Sequence, residues 1–305
     1  MRFLNSPIVI LLVVIAGIVV LFAAIRALRL TGQKAYYADK VVLLTGASRG
    51  IGRELALALA KRGARLVLAA RRADQLDAVA QACRDANPGV DVITVPTDVT
   101  DEAQLIRLVQ TTLERFGRID ILLSNAGIIQ GGVIAEGDFS SIRQQIEVNL
   151  MASIRLVQLA LPPMLAQGQG HIVLMSSAGG RHSFPYMTGY CTSKHGLVGF
   201  GEGLRRELAG KGVRVLTVKP GYTATDMVAT AEPAYRRMGF RMIPPERVAR
   251  RTLEGIVLGM PEITVGLIEV IAEWSSVLAP RLGDLYWRLL MPPEFPELVS
   301  KQRTE

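Results

Sequence analysis

Val41-Val42-Leu43-Leu44-Thr45-Gly46-Ala47-Ser48-Arg49-Gly50-Ile51-Gly52 decides the fold. A short apolar run breaks at a glycine turn and opens directly into a stretch that reads as helix to about residue 62. Gly46 permits a tight turn, Gly50 lets the backbone approach a pyrophosphate, and Gly52 allows a helix to pack closely on its strand. The start of the helix offers free N–H groups and a positive dipole end to phosphates. Ser48, Arg49 and Ile51 complete this loop as candidate cofactor contacts. The strand–turn–helix setting separates it from an ordinary glycine turn.

Outward from this unit, apolar segments alternate with amphipathic ones. Strands are predicted at 41–45, 65–69, 91–95, 119–123, 171–175, 213–218 and, more weakly, 262–265. Helices are predicted near 50–62, 73–86, 101–115, 139–165, 190–210 and 246–259. The alternation predicts an α/β fold: a doubly wound, Rossmann-type parallel sheet of about seven strands with helices on both faces. Gly63 and Gly212 suit helix ends, Asp74 and Asp101 suit first turns, and Pro162-Pro163 disfavour continuation of the long fifth helix. Residues 222–245, with Pro233, Gly239, Pro244 and Pro245, break the rhythm and suit a lid or a substrate-binding insertion.

Further motifs follow the strands at regular places. Thr97-Asp98-Val99 follows the third, Asn125-Ala126-Gly127 the fourth, and Pro220-Gly221-Tyr222-Thr223 the sixth. Tyr190 and Lys194 stand four apart, so on a helix they share one face, and Ser177 lies thirteen residues before the tyrosine. Asn149 sits within Val148-Asn149-Leu150. Together with the T-G-x-x-x-G-x-G spacing, these motifs resemble the short-chain dehydrogenase/reductase family over residues 40 to about 265.

The resemblance implies hydride transfer between nicotinamide and a carbonyl or alcohol carbon. It implies Tyr190 as general acid/base, Ser177 on the substrate oxygen, and Lys194 on the nicotinamide ribose. Asn149 is implied as a fourth catalytic residue, its amide holding a water that relays protons to Lys194. Asp98 and Val99 would meet the adenine, Asn125, Ala126 and Gly127 would line the cofactor, and Pro220, Gly221 and Thr223 would meet the carboxamide. Ser124 stands where the family often has a second asparagine, and Tyr222 is a candidate to face substrate.

The residues add their own chemistry to that reading. A free tyrosine titrates near ~10, and a nearby ammonium favours the phenolate, so Lys194 is expected to lower the Tyr190 pKa. Ser176 competes with Ser177, but strand alternation aims the two oppositely. The second strand ends Ala69-Ala70-Arg71-Arg72 without the acidic residue that an NAD-selective site places near a ribose 2′-hydroxyl. Arg49 and Arg71 together suit a 2′-phosphate, so NADP(H) is favoured over NAD(H).

The ends of the chain read differently. Ile8 to Ile25 is eighteen residues without a charge, reaching roughly 27 Å as a helix, close to a hydrocarbon core. It is read as a retained single-pass anchor over 8–25, within an anchor-and-tether segment 1–39, ahead of a catalytic domain 40–266. Arg26, Arg29, Lys34 and Lys40 after the run, against Arg2 before it, favour a cytoplasmic catalytic domain. Residues 267–305 form an apolar extension, but Glu269, Glu273, Arg281 and Asp284 argue against a second span. Trp274, Tyr286 and Trp287 suit a membrane interface, and the same residues suit a subunit interface or core.

The net charge of +8 is scattered, without a basic–aromatic stripe for nucleic acid. Cys83 and Cys191, with His171, His182 and His195, lack metal-ligand spacing, so no metal site is expected. The expected partners are a small lipophilic substrate, a membrane and, by family resemblance, further copies of the chain through the helices carrying Asn149 and Tyr190. Family members of this layout include 3-ketodihydrosphingosine reductases and hydroxysteroid dehydrogenases. Two other readings stay open: a silent relative serving as membrane scaffold or nucleotide sensor, and an epimerase-type relative.

Overall fold

The computed structural model describes residues 30–301 together with Ala24 and Ala27. Apart from Ala24, the expected span over residues 8–25 lies outside them.

Seven parallel strands form one sheet: β1 (Val41–Thr45), β2 (Arg65–Ala70), β3 (Val92–Pro96), β4 (Ile121–Ser124), β5 (Gly170–Met175), β6 (Val213–Pro220) and β7 (Glu262–Val265). Their order is β3-β2-β1-β4-β5-β6-β7. The helices are α1 (Gln33–Tyr37), α2 (Gly50–Ala60), α3 (Ala73–Ala86), α4 (Glu102–Phe116), α5 (Phe139–Ala166) and α6 (Thr188–Glu207). The series continues with α7 (Glu232–Arg237), α8 (Pro245–Leu258), α9 (Leu267–Leu278), α10 (Pro280–Leu290) and α11 (Phe295–Ser300). This is the expected doubly wound Rossmann-type sheet.

Burial on both faces explains why the central strands read as continuous apolar runs. All five residues of β1 are buried. Leu55 and Leu59 of α2, Leu76 of α3 and Leu253 of α8 pack on one face. Leu105 of α4, Leu156 and Met164 of α5 and Leu197 of α6 pack on the other. Each such side chain contributes about 1.5–3 kcal/mol over its exposed state.

The order reverses between β1 and β4, whose carboxyl ends therefore flank a crevice with helices leaving on opposite sides. That crevice is where the glycine loop emerges.

Local chemistry sets the boundaries. Asp101 caps α4 by accepting from the Gln104 N–H, and Gly117 ends it at φ 72°. β4 begins two residues later than expected. The Asp120 carboxylate is taken by the Val41 N–H and the Ile119 N–H by Gln167, so both residues cap the sheet edge.

α5 departs from a plain helix by a π turn at Glu147–Met151. Among the described residues α5 is the one helix long and apolar enough to cross a membrane, yet its apolar face lies on the sheet.

Candidate active site

The glycine loop is shaped by close approach. Gly46 has φ +65°, and a Cβ there would stand 2.8 Å from the Ala126 Cα. A Cβ on Gly52 would stand 2.0 Å from the Gly46 carbonyl oxygen, so only hydrogen lets α2 sit this near the end of β1. Arg49 precedes α2 without a side-chain cap, which leaves the first-turn N–H groups to a ligand.

Asn125 fastens this loop to the end of β4. Its Nδ2 donates to the carbonyls of Thr45 and Gly46, each at 3.1 Å. The Thr45 hydroxyl in turn accepts from the N–H groups of Asn125 and Ala126. On the outer side, Arg71 is exposed at the end of β2, and Arg49 stands 4.0 Å from Asp226. Asp98 Oδ1 accepts from the Thr100 N–H and hydroxyl, which fixes the carboxylate at the mouth of the crevice.

Tyr190 and Lys194 lie one turn apart on α6, both buried, with the Lys194 ammonium 5.8 Å from the Tyr190 ring centre. Ser177 shares a hydrogen bond with Tyr190, and its Oγ also accepts from the Gly179 N–H. Ser176 faces the other way and donates to the Lys194 carbonyl at 3.0 Å. The structure therefore pairs the tyrosine with Ser177.

The expected effect of lysine on the phenol is not what the protein matrix does. Burial pushes the Tyr190 hydroxyl up to about 12, with the Ser177 hydrogen bond pulling the other way. Burial also lowers Lys194 to about 8. Its ammonium donates to the Met175 carbonyl at 2.9 Å. Desolvation is the largest influence on both groups.

Asn149 is fully buried at the centre of the π turn and lies behind Gly127, off the cavity wall. Its Nδ2 donates to the Ile128 carbonyl and to Ser193 Oγ, each at 2.9 Å, and its Oδ1 accepts from the Ile128 N–H at 2.8 Å. Both amide hydrogens are engaged, which leaves the second lone pair of Oδ1 for a water. The side chain clasps the strand after Gly127 to the helix carrying Tyr190.

All the other expected residues line one cavity of about 240 Å³. Gly46, Ser48, Arg49, Gly50, Ile51, Gly52 and Arg71 form one end, with Asp98 and Val99. Asn125, Ala126 and Gly127 form the floor, while Ser177, Tyr190, Lys194, Pro220, Gly221 and Thr223 form the other end. Gly221 is required by a neighbour as well: a Cβ would meet Glu269 Oε1 at 2.0 Å. Glu269 accepts from the Tyr222 backbone N–H and from its own, and burial raises its carboxyl.

Beyond Tyr190 the cavity is walled by side chains that no motif announced. Phe184, Met187, Val228 and Tyr235 close it, and the Tyr222 ring lies 4.0 Å from that of Tyr235. The Tyr222 hydroxyl is buried without a hydrogen-bond partner, so it can serve a polar group on a ligand. The segment 222–245 folds over this end, with Thr223 bridged to Ile243. The apolar and aromatic residues within it carried the signal, obscured by its prolines and glycines.

The short chain dehydrogenase family profile matches residues 40–236. The chain belongs to that family. Human dehydrogenase/reductase SDR family member 7 is 40% identical over 62% of this chain and 57% of its own length, so the match leaves much of that relative uncovered. A Burkholderia phymatum short-chain dehydrogenase/reductase solved in complex with NAD superposes with TM-score 0.74 at 28% identity, over 81% of this chain and 96% of that one. An actinorhodin polyketide ketoreductase solved with NADPH gives 0.69 at 32% identity, over 74% and 95%. The family comprises oxidoreductases acting on carbonyl and alcohol groups, and its fold holds a nicotinamide cofactor.

Proposed function

We propose that this short-chain dehydrogenase is a membrane-anchored, NADP(H)-dependent oxidoreductase acting on a lipophilic ketone or alcohol. One observation carries the reading: Ser177, Tyr190 and Lys194 converge in the same cavity as the glycine loop. The fit to a dinucleotide rests on the glycines. A Cβ at Gly50 would lie 3.0 Å from Thr225 Cγ2, and one at Gly127 would lie 3.2 Å from Asn149 Oδ1, so both positions are tight for a larger residue. When bound, a nicotinamide dinucleotide supplies or accepts the hydride.

The chain's own residues do the rest. Ser177 holds the substrate oxygen beside Tyr190. The Tyr190 hydroxyl, neutral at physiological pH because burial raises it, gives its proton to that oxygen in reduction. Lys194, charged below about 8, supplies the positive field that eases this transfer. Arg49 and Arg71 provide two guanidiniums for a 2′-phosphate, and the second strand ends without a carboxylate that would repel it. The lipophilic substrate follows from the aromatic walls and from the uncharged run Ile8–Ile25, read as a single-pass anchor for the cytoplasmic domain.

Tyr190→Phe tests the reading. It should cut turnover by about 10²–10⁴-fold, the range of a lost general acid. NADPH binding, followed by energy transfer from tryptophan to nicotinamide, should persist. Wild-type chain that binds NADPH yet oxidises none of it across a panel of lipid ketones would favour a silent nucleotide sensor.

A further inference from the structure

α9 is built inside out. Glu269 turns inward beneath Gly221, and Glu273 accepts from Lys219 at 2.7 Å and from the Thr264 hydroxyl at 2.9 Å. Leu267, Ile271, Trp274, Val277 and Leu278 point outward, each between 61% and 76% exposed. On α10, Leu282 and Leu289 are exposed in the same way, whereas Trp287 is buried. A helix facing water has the reverse distribution. A contiguous apolar patch of this size marks a surface that meets something other than water.

The inner side of the same hairpin belongs to the substrate end of the cavity. The Trp287 ring lies 5.8 Å from Phe184 and 6.0 Å from Phe240, and Phe184 lines the cavity. Tyr286 donates to the Met238 carbonyl at 2.9 Å, tying α10 to the segment that covers the cavity. Of the three aromatics expected at a membrane interface, Trp287 and Tyr286 therefore serve this packing, and Trp274 alone is outermost. The hairpin is one layer thick between the aromatic chamber and the outside.

We propose that the outer face of α9 and α10 seats in the headgroup–acyl boundary of a lipid bilayer, so that the aromatic chamber lies next to the membrane. The inference rests on the membrane-bound, lipid-substrate reading above. Charge favours lipid as the occupant. Arg281 and Arg288 are exposed on α10, Arg241 is exposed next to Phe240, which packs on Trp287, and Arg236 and Arg237 pair with Glu232 and Glu294. On α9 and α10, Asp284 is the one exposed carboxylate. A cationic rim around an apolar face matches anionic headgroups. A second copy docked through the same face would bring two such rims together. The uncharged run Ile8–Ile25 gives the same chain a second membrane-compatible segment.

The test uses the full-length chain in phosphatidylcholine–phosphatidylserine vesicles whose acyl chains carry bromine. Wild-type tryptophan emission should be quenched, and Trp274→Phe should lose most of that quenching, because Trp287 is shielded. The double variant Val277→Glu, Leu282→Glu should also lose it. That variant should raise KM for a long-chain ketone held in vesicles and leave turnover of a small water-soluble ketone unchanged. Chain that floats with the vesicles but is not quenched would overturn the hairpin contact and leave the anchor standing. Chain that does not float would overturn both. Efficient disulfide formation between Trp274→Cys copies, without quenching in the wild type, would assign the face to a second copy instead.

Discussion

Residues 40–221 and residues 222–301 are held together by different rules. In the first region backbone meets backbone at distances only hydrogen allows, as where a Cβ on Gly52 would sit 2.0 Å from the Gly46 carbonyl. In the second, aromatic side chains meet one another, as where the Tyr222 ring packs at a tilt against those of Tyr235 and Phe240. The first arrangement tolerates almost no change and is written in short motifs. The second tolerates many apolar solutions and carries no fixed spelling, which suits a wall that selects substrate rather than one that holds a common cofactor.

Two glycines put this contrast to its hardest test. Gly52→Ala forces the helix off the strand and should cost about 1–3 kcal/mol, the range of an overpacked core. It should also abolish measurable NADPH binding, since the N–H cradle moves with the helix. Gly283 sits in α10 with nothing within 4 Å of its ideal Cβ. Gly283→Ala should therefore stabilise by about 0.5–1 kcal/mol and leave NADPH binding untouched. Thermal unfolding with and without NADPH reads both variants. Equal shifts of the same sign would erase the distinction between the two regions.

The same distinction explains what the sequence disclosed. Strand positions were legible because parallel strands buried on both faces are unbroken apolar runs, and all seven appear within two residues of their predicted starts. The loop from Thr45 to Gly52 was legible because glycine has few substitutes where a Cβ would strike a carbonyl. The π turn around Asn149 was not, because Glu147-Val148-Asn149-Leu150-Met151 fits an ordinary helix equally well. Its cause is tertiary: Asn149 reaches Ile128, twenty-one residues away. The inverted pattern of α9 was legible as apolar character but not as direction. Glu269 and Glu273 are inward only because Gly221 leaves room for one and Lys219 binds the other.

The pH dependence of reduction tests whether burial governs the first region's chemistry. Lys194 titrates near 8, so its charge is present below that value and is lost as pH rises through it. Tyr190, raised to about 12, stays protonated across the whole range. In the reductive direction kcat/KM, which reports the free enzyme, should fall above about pH 8 by roughly tenfold per unit. A limb near ~10 instead would mean that burial does not govern this site, since a solvated tyrosine and a solvated lysine both titrate there.

The smallest effect concerns the arginines at the seam between the two regions. Arg71 belongs to the first region and is exposed, whereas Arg49 stands 4.0 Å from Asp226 in the second. Because Asp226 is 78% exposed, that pair is screened and weak, and it does not neutralise Arg49 toward a phosphate. Arg71→Asp removes one of the two guanidiniums and adds a charge that repels a 2′-phosphate but accepts a hydrogen bond from a 2′-hydroxyl. NADPH affinity should fall by about tenfold, or ~1.4 kcal/mol, with NADH affinity unchanged or slightly improved. The loss should shrink as salt is raised, since the group acts from the surface. Unchanged NADPH affinity would mean that the assignment of NADP(H) is wrong.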